Sequence, residues 1–442
     1  MTHTPAAVDE GVPAYAVALA EQGRAGRLVV YAGAGLSRAE PAGLPSGAEV
    51  AKGLHHRLRE AFPVLDDIDE TDLTGVADAV AALDNGEDAL RFTAAQVAEF
   101  TTAKPTYGHR VLALLLLEGI VDALTTNWDD CVERGGGAER VASVVTEHDL
   151  LHVAPRSVLK IHGCATQPLS LLITSAHLNA PPTWVAEQTR ARLGTSVVVF
   201  VGIGDVAGYV RKRIEEAIED VGNLDNIRVV SPSINDGWDA SQWAELVPDL
   251  AEEHRFAETA DAFLEKLAAG YVHVTLAAFS AELDENAALA AAFNAASAGL
   301  RKHDPLTVLE WARHAAVVAR AGSPVLSTAQ MADALLAVGK LAGADVRITR
   351  DWTLETPDGP IEVLVAVGTQ SAARVRREAD NRLEVHLGNG VAAPKFLVSG
   401  GLGWTSTPLG GDIIGGGADG DVLDGPLNAT PEILRTAEVW AG

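Results

Sequence analysis

The sequence predicts a doubly wound parallel α/β fold, with a helical insertion after its first strand and an α+β domain at its carboxyl end. Three observations predict it. Apolar, largely β-branched runs recur at Arg27–Ala32, Gly119–Thr126, Ser157–Ile161, Ser196–Val201 and Asn226–Val230, the composition of strands buried on both faces. Helical patterns separate the runs, the alternation expected of a parallel sheet with crossover helices. The first run passes straight into Gly33-Ala34-Gly35, a glycine turn that bends the chain sharply at the strand end.

Taken in order, Val12–Glu21 reads as a short helix and Arg27–Ala32 as the first strand. Residues 46–103 are mostly helical, rich in alanine and acidic side chains, and Thr106–Glu118 is an apolar helix. Gly119–Thr126 is the second strand, Ser157–Ile161 the third and Leu169–Thr174 a candidate fourth. Thr183–Leu193 and Val206–Val221 read as helices around Ser196–Val201, the most hydrophobic strand, and Asn226–Val230 closes the set. The arrangement is Rossmann-like. Beyond residue 250 the pattern changes. Residues 251–343 read as nearly all helical, 344–370 as a hairpin about Thr356-Pro357-Asp358-Gly359, 372–385 as a helix, Lys395–Ser399 as a strand and Pro431–Trp440 as a last helix after a glycine-rich stretch. The expected division is a domain over 1–245, with its helical module at about 46–110, and an accessory domain over 246–442.

Composition narrows the class. The chain has 442 residues and is 48% hydrophobic, enough for folded cores. With 34 basic against 60 acidic side chains the net charge is −26, so gripping nucleic acid directly is not expected, because phosphate binding needs a basic surface. Two cysteines, Cys131 and Cys164, make neither a disulfide framework nor a four-cysteine zinc site. The apolar stretches Val111–Leu117 and Val197–Gly204 are too short to span a bilayer, and the amino terminus lacks the pattern of a secretory signal. The expectation is a cytoplasmic protein without a membrane partner.

The chemistry-bearing clusters fall at predicted strand ends. After Gly33-Ala34-Gly35-Leu36-Ser37 come Gly43-Leu44-Pro45, then Thr125-Thr126-Asn127-Trp128-Asp129, Lys160-Ile161-His162-Gly163 and Gly202-Ile203-Gly204-Asp205. In open α/β sheets ligands lie outside the carboxyl ends of the strands. Glycines 33 and 35 lack a Cβ, so backbone amides there can approach a diphosphate. The turn is neither a P-loop, since no lysine follows, nor a full dinucleotide fingerprint, since Arg38 stands where the third glycine belongs.

As an ordered set these motifs resemble the sirtuin superfamily, and most closely the bacterial sirtuin-like proteins of antiphage defence that hydrolyse NAD. The resemblance covers roughly residues 10–235. It implies that Gly33, Ala34, Gly35 and Ser37 form the diphosphate loop, that Asn127 and Asp129 are the buried polar pair beside the nicotinamide ribose, that His162 is the catalytic histidine, and that Gly202 and Gly204 form the second glycine turn. Asn127 would hold water below the ribose and His162, titrating near neutrality, would take a proton. Asp129 would bond the carboxamide or fix Asn127. Asp205 and Ser231 are candidates for the ribose contacts. Plainer readings stand beside these: Asn127 as a helix cap, Asp205 as a cap, Cys164 as a small buried thiol, Arg38 as phosphate contact or solvated, and Tyr107 or His109 as facing the pocket, solvated or packing.

Departures from the sirtuin pattern matter. No cysteine ribbon follows His162, so no metal and no zinc are expected, and acyl-lysine peptide binding is disfavoured. The implied activity is NAD hydrolysis to nicotinamide and ADP-ribose, with NAD as substrate, in a defence effector that depletes NAD. The resemblance further implies a homo-oligomer or a HerA-type translocase ATPase as partner. A protein deacylase, an ADP-ribosyltransferase and a non-catalytic NAD or ADP-ribose sensor are the alternatives. In the accessory region Asp345 and Glu362 sit as metal ligands would in a nuclease-like core, but Leu364 occupies the place of its lysine.

Overall fold

A computed structural model describes residues 3, 5–8, 11–137, 140–151, 157–203, 208–282, 298 and 301–310, together with five short strands between 347 and 435. The chain divides into two compact units, one comprising Met1–Pro5 and Pro13–Gly270, the other Ala6–Val12 and Tyr271–Gly442.

The first unit is built on a seven-stranded sheet. Its strands are β1 (Leu28–Ala32), β2 (Asp122–Thr125), β3 (Ser143–Val144), β4 (Val158–Lys160), β5 (Val197–Val201), β6 (Ile227–Val230) and β7 (Arg255–Phe256). The order is β3-β4-β2-β1-β5-β6-β7, and every pairing is parallel. This is the doubly wound, Rossmann-like class. The chain moves outward from β1 through β2 and β4, then returns across the sheet to lay β5 on the other side of β1. The carboxyl ends of β1 and β5 therefore flank the topological switch point, where such sheets bind ligands.

The central strands are buried at every position of β1 and β5, which is why they read as unbroken apolar runs rather than alternating ones. One core forms on Val29, Tyr31, Leu124, Leu159, Val198, Phe200 and Val229, with Trp243 packed beside Phe200. A second core belongs to the helical insertion, where Leu54, Leu65, Val76, Val80 and Leu90 pack with Leu171 and Ile173. Each such side chain, fully buried, stabilises the fold by about 1.5–3 kcal/mol. The insertion carries helices Gly47–Leu58, Leu73–Ala81 and Gly86–Gln96. Asp78 accepts from the Ser175 amide at 2.8 Å, and His177 meets Glu87 and Arg91, so the insertion is tied to the segment after β4.

Two sequence expectations differ here. Leu169–Thr174 is not a strand. Pro168–Ser170 is a single 3-10 turn, and the chain beyond it folds back so that the Leu172 amide donates to the His162 carbonyl at 3.1 Å. Pro168 has no amide to give a ladder, and the segment is used to hold the turn after His162. The strands β3 and β7, two residues each, are too short to show a pattern in sequence.

The second unit contains a five-stranded sheet of Arg347–Ile348 (β8), Thr353–Thr356 (β9), Gly359–Ala366 (β10), Lys395–Gly400 (β11) and Ile433–Arg435 (β12). β9 and β10 form the expected antiparallel hairpin. Ile433–Arg435 is a strand and not part of a helix: it pairs in parallel with Phe396–Val398 and satisfies that edge. Glu362 lies on β10, while Asp345 and the expected helix 372–385 lie outside the described residues.

Candidate functional site

At the end of β1 the chain passes Gly33 and forms one 3-10 turn, Ala34–Leu36. The two glycine turns interlock. Gly33 N–H donates to the Val201 carbonyl at 2.9 Å and Gly35 N–H to the Gly202 carbonyl at 2.6 Å. A Cβ on Gly35 would lie 2.6 Å from the Gly202 carbonyl oxygen, and one on Gly202 (φ +65) would lie 2.5 Å from the Leu36 nitrogen. The missing side chains at 35 and 202 thus let β1 and β5 terminate against each other. The Gly33 and Gly35 amides are engaged with β5 and its turn, a correction to the expectation that they face a diphosphate.

Beside this turn is a cavity of about 410 Å³, within the range of small-molecule sites. Gly33, Ala34, Gly35, Ser37, Asn127, Asp129 and His162 all line it, with Trp128, Phe100 and the Ser46–Ala48 end of helix Gly47–Leu58 forming other walls. Residues 33–35, 37, 46–48, 127–129 and 162, far apart in sequence, all line this one cavity. Gly202 packs behind the wall that Ile203 presents. Ser231 does not line this cavity; its Oγ is paired with Ser233 Oγ at 2.8 Å. Gly204 and Asp205 lie outside the described residues.

Ser37 is the hub of the polar floor. Its hydroxyl donates to Asp129 Oδ2 at 2.9 Å. Having one proton, it can then only accept from its other partners. Asn127 Nδ2 donates to it at 3.0 Å, which turns Asn127 Oδ1 the other way. Asn127 does not cap a helix: the next helix is Cys131–Gly135, preceded by Asp130. Asn127 Oδ1 and His162 Nε2 are buried without a hydrogen-bond partner among the described residues. Buried polar atoms in folded proteins are nearly always paired, so these two side chains of the cavity wall are incompletely satisfied by the described residues.

His109, read from sequence as facing the pocket, solvated or packing, belongs to this floor. It is fully buried, and its Nδ1 accepts from the Thr106 amide at 3.1 Å. That assigns the ring proton to Nε2, 3.1 Å from Ser37 Oγ. The capping box of helix Tyr107–Leu117, Thr106 with His109 at its third position, holds the ring in place. Burial pushes the His109 imidazole below its ordinary value, against the pull of Asp129 and Asp261. Burial works against the charge on Asp129, but His109, Lys160, the Ser37 hydroxyl and the Cys131 amide outweigh it and hold the carboxyl below its ordinary range.

His162 differs from expectation in its charge. Burial, with the Arg213 guanidinium as a second cause, lowers it to about 3, so it is neutral rather than poised at neutrality. Behind it, Lys160 is 2% exposed; its ammonium bonds the Asp129 carbonyl and lies 3.5 Å from Glu133 Oε1. Burial opposes that charge, yet Glu133, Cys164 and Asp129 hold it above its ordinary value. Arg38 turns to Glu49 and the Leu44 carbonyl. Cys164 is a buried thiol that accepts from Thr166 Oγ1 at 3.1 Å. Among the described residues His109, Asp129 and Cys131 bring ligand-type atoms within 4.8 Å of one another. His109 Nε2 and the Asp129 carboxylate are already bonded to Ser37 and the Cys131 amide, and the Arg134 guanidinium lies 3.6 Å from the Cys131 sulfur, a poor setting for a cation. No helix of the described residues is long and apolar enough to cross a membrane.

No curated protein matches the sequence. Among solved structures the chain is similar to a Sir2 enzyme at 13% identity, covering 59% of this chain and 98% of that one with a TM-score of 0.36. It is similar to a Sir2 homologue in complex with NAD at 15% identity, 62% and 98% coverage and a TM-score of 0.34. A mutant Sir2 homologue in complex with ADP-ribose gives 16%, 56%, 93% and 0.33. The SIR2-like domain family matches residues 122–245, the stretch that carries Asn127, Asp129, His162 and Gly202.

Proposed function

We propose that the chain is an NAD glycohydrolase, which cleaves the bond between nicotinamide and ribose with water as acceptor and releases nicotinamide and ADP-ribose. One observation carries this reading: Asn127 and His162 line one cavity at the switch point of the sheet, each with a buried polar atom that lacks a protein partner among the described residues. Leaving such an atom unpaired costs about 1–3 kcal/mol. The match of the surrounding segment to the SIR2-like domain supports NAD as the ligand that satisfies both.

The cleavage builds positive charge on the ribose. Asn127 Oδ1 is the acceptor that holds a water or a ribose hydroxyl there, and Ser37 keeps it turned inward. His162, held neutral by its burial, is assigned the proton that leaves. The Asp129 carboxylate anchors Ser37 and adds negative charge below the ribose. The diphosphate is assigned to the turn around Ala34. Gly202 and Gly204 are assigned to the glycine turn under the dinucleotide, and Asp205 and Ser231 to ribose contacts. No zinc is needed for these roles.

On the same reading the protein is a cytoplasmic defence effector acting by NAD depletion. Its NAD-handling domain is assigned to about residues 1–245, and the rest serves oligomerisation or a HerA-type ATPase. The test is to incubate the full chain, alone and with a HerA-type ATPase, with NAD in ¹⁸O-labelled water. Nicotinamide with singly labelled ADP-ribose is the expected result. ADP-ribose on a protein side chain would make it a transferase, a deacylated lysine a deacylase, and bound but intact NAD in every assembly a sensor.

A further inference from the structure

Asp261 is a buried carboxylate from the first turn of helix Ala260–Glu282, outside every motif the sequence offers. Its Oδ1 accepts from the Gly108 amide at 2.8 Å and from Thr106 Oγ1 at 3.1 Å, joining residues 153 and 155 positions apart. Glycine is what allows the approach: a Cβ on Gly108 would collide with that oxygen. Thr106 caps helix Tyr107–Leu117, Gly108 lies in its first turn, and the next residue is His109.

From there each hydrogen-bond direction is fixed. The Thr106 amide points at His109 Nδ1, so the ring proton sits on Nε2 and donates to Ser37. The Ser37 proton goes to Asp129, and its two lone pairs take His109 Nε2–H and Asn127 Nδ2. A hydroxyl with its proton and both lone pairs assigned has one orientation. Without His109 at this distance Ser37 rotates freely between Asp129 and Asn127, and Asn127 loses the partner that turns its oxygen inward.

We propose that Asp261 is a positioning residue for this site, holding the first turn of helix Tyr107–Leu117 so that His109 presents Nε2–H to Ser37 and Ser37 in turn fixes Asn127. This rests on the NAD-hydrolase reading for its kinetic consequence, but not for its structural one.

The experiment compares wild type, Asp261→Asn and Asp261→Ala as full chains. Nicotinamide release gives kcat and KM, thermal unfolding gives Tm, and ¹⁵N chemical shifts of the His109 ring, assigned with His109→Gln, give its tautomer. Asn keeps an oxygen acceptor for Gly108, so Asp261→Asn is expected to retain kcat within about threefold, whereas in Asp261→Ala kcat falls about tenfold or more with KM within about twofold. In Asp261→Ala the His109 signal should also move from a pure Nε2–H tautomer toward a mixture. An Asp261→Ala protein with wild-type kcat, or with an unchanged His109 tautomer, overturns the proposal. Should wild type release no nicotinamide, the NAD reading fails by itself, and the tautomer shift alone decides the role of Asp261. If Asp261→Ala does not fold, Asp261→Asn decides: kcat or the tautomer altered beyond those limits counts against the proposal, and retention of both supports it.

Discussion

Asn127 Nδ2 donates to Ser37 Oγ at 3.0 Å, and this one bond decides which end of the Asn127 amide faces Ser37. Because the only Ser37 proton is spent on Asp129, Ser37 cannot donate to Asn127, and the carbonyl end is turned away from it. The direction of the buried Asn127 acceptor is therefore set by Ser37, at the end of the turn after β1, and not by β2, which ends two residues before Asn127.

Ser37→Ala follows directly. It leaves Asn127 Nδ2, His109 Nε2–H and one Asp129 oxygen without their shared partner. Stability should fall by about 1–3 kcal/mol, measured by urea unfolding. Nicotinamide release should fall by about a hundredfold, the scale of a misplaced reacting group. A variant with wild-type turnover would mean that Asn127 is oriented by something else.

Gly202→Ala tests the interlocked turns. Gly202 has φ +65, and its added Cβ would meet the Leu36 nitrogen at 2.5 Å. Backbone must move at both strand ends, a cost of about 1–3 kcal/mol or more. The loss appears as a lower urea midpoint at unchanged slope. Gly222→Ala, also at positive φ (+68) but with its nearest neighbour 3.7 Å away, should cost less.

The buried pair Lys160–Glu133 supports the Asp129 backbone from behind. Lys160→Met leaves Glu133 charged and unpaired in the interior, and is expected to cost about 3–5 kcal/mol. The double variant Lys160→Met with Glu133→Leu should recover part of that loss. Chemical denaturation of the four proteins in the cycle measures it.

His162 makes stability depend on pH. Its folded value is lowered to about 3, below the unfolded value of about 6.5. Between these the unfolded chain binds the extra proton, so stability is full above about pH 6.5 and falls as pH drops toward 3, by up to about 1.4 kcal/mol per pH unit. His162→Phe should flatten that part of the profile by one proton. Denaturant midpoints between pH 4 and 7 give the difference, and an unchanged slope would mean that His162 is not held neutral.

How much of the fold and site is legible in the sequence depends on what each residue needs from afar. β1 and β5 are readable because strands buried on both faces must be apolar throughout: LVVYA and VVVFV show no polar alternation and are buried at all positions. Asn127, Asp129 and His162 are readable because parallel strands all end at one edge, so strand-end polar residues converge. The partners behind them are not. His109 sits in a capping box, which looks like ordinary helix punctuation, and Asp261 comes from a helix past the sheet. Their roles exist only through contacts that no local spacing encodes. Leu169–Thr174 misleads for the opposite reason: an apolar run that buries against the insertion looks like a strand until Pro168 and the fold-back onto His162 are seen.

The decisive measurement is nicotinamide release from NAD by wild type, Asn127→Ala and His162→Ala, with the NAD affinity of each variant measured by calorimetry. The proposed chemistry predicts release by wild type in its active assembly, and loss of about a hundredfold or more in both variants, with NAD still bound. Variants that release nicotinamide at the wild-type rate would contradict it.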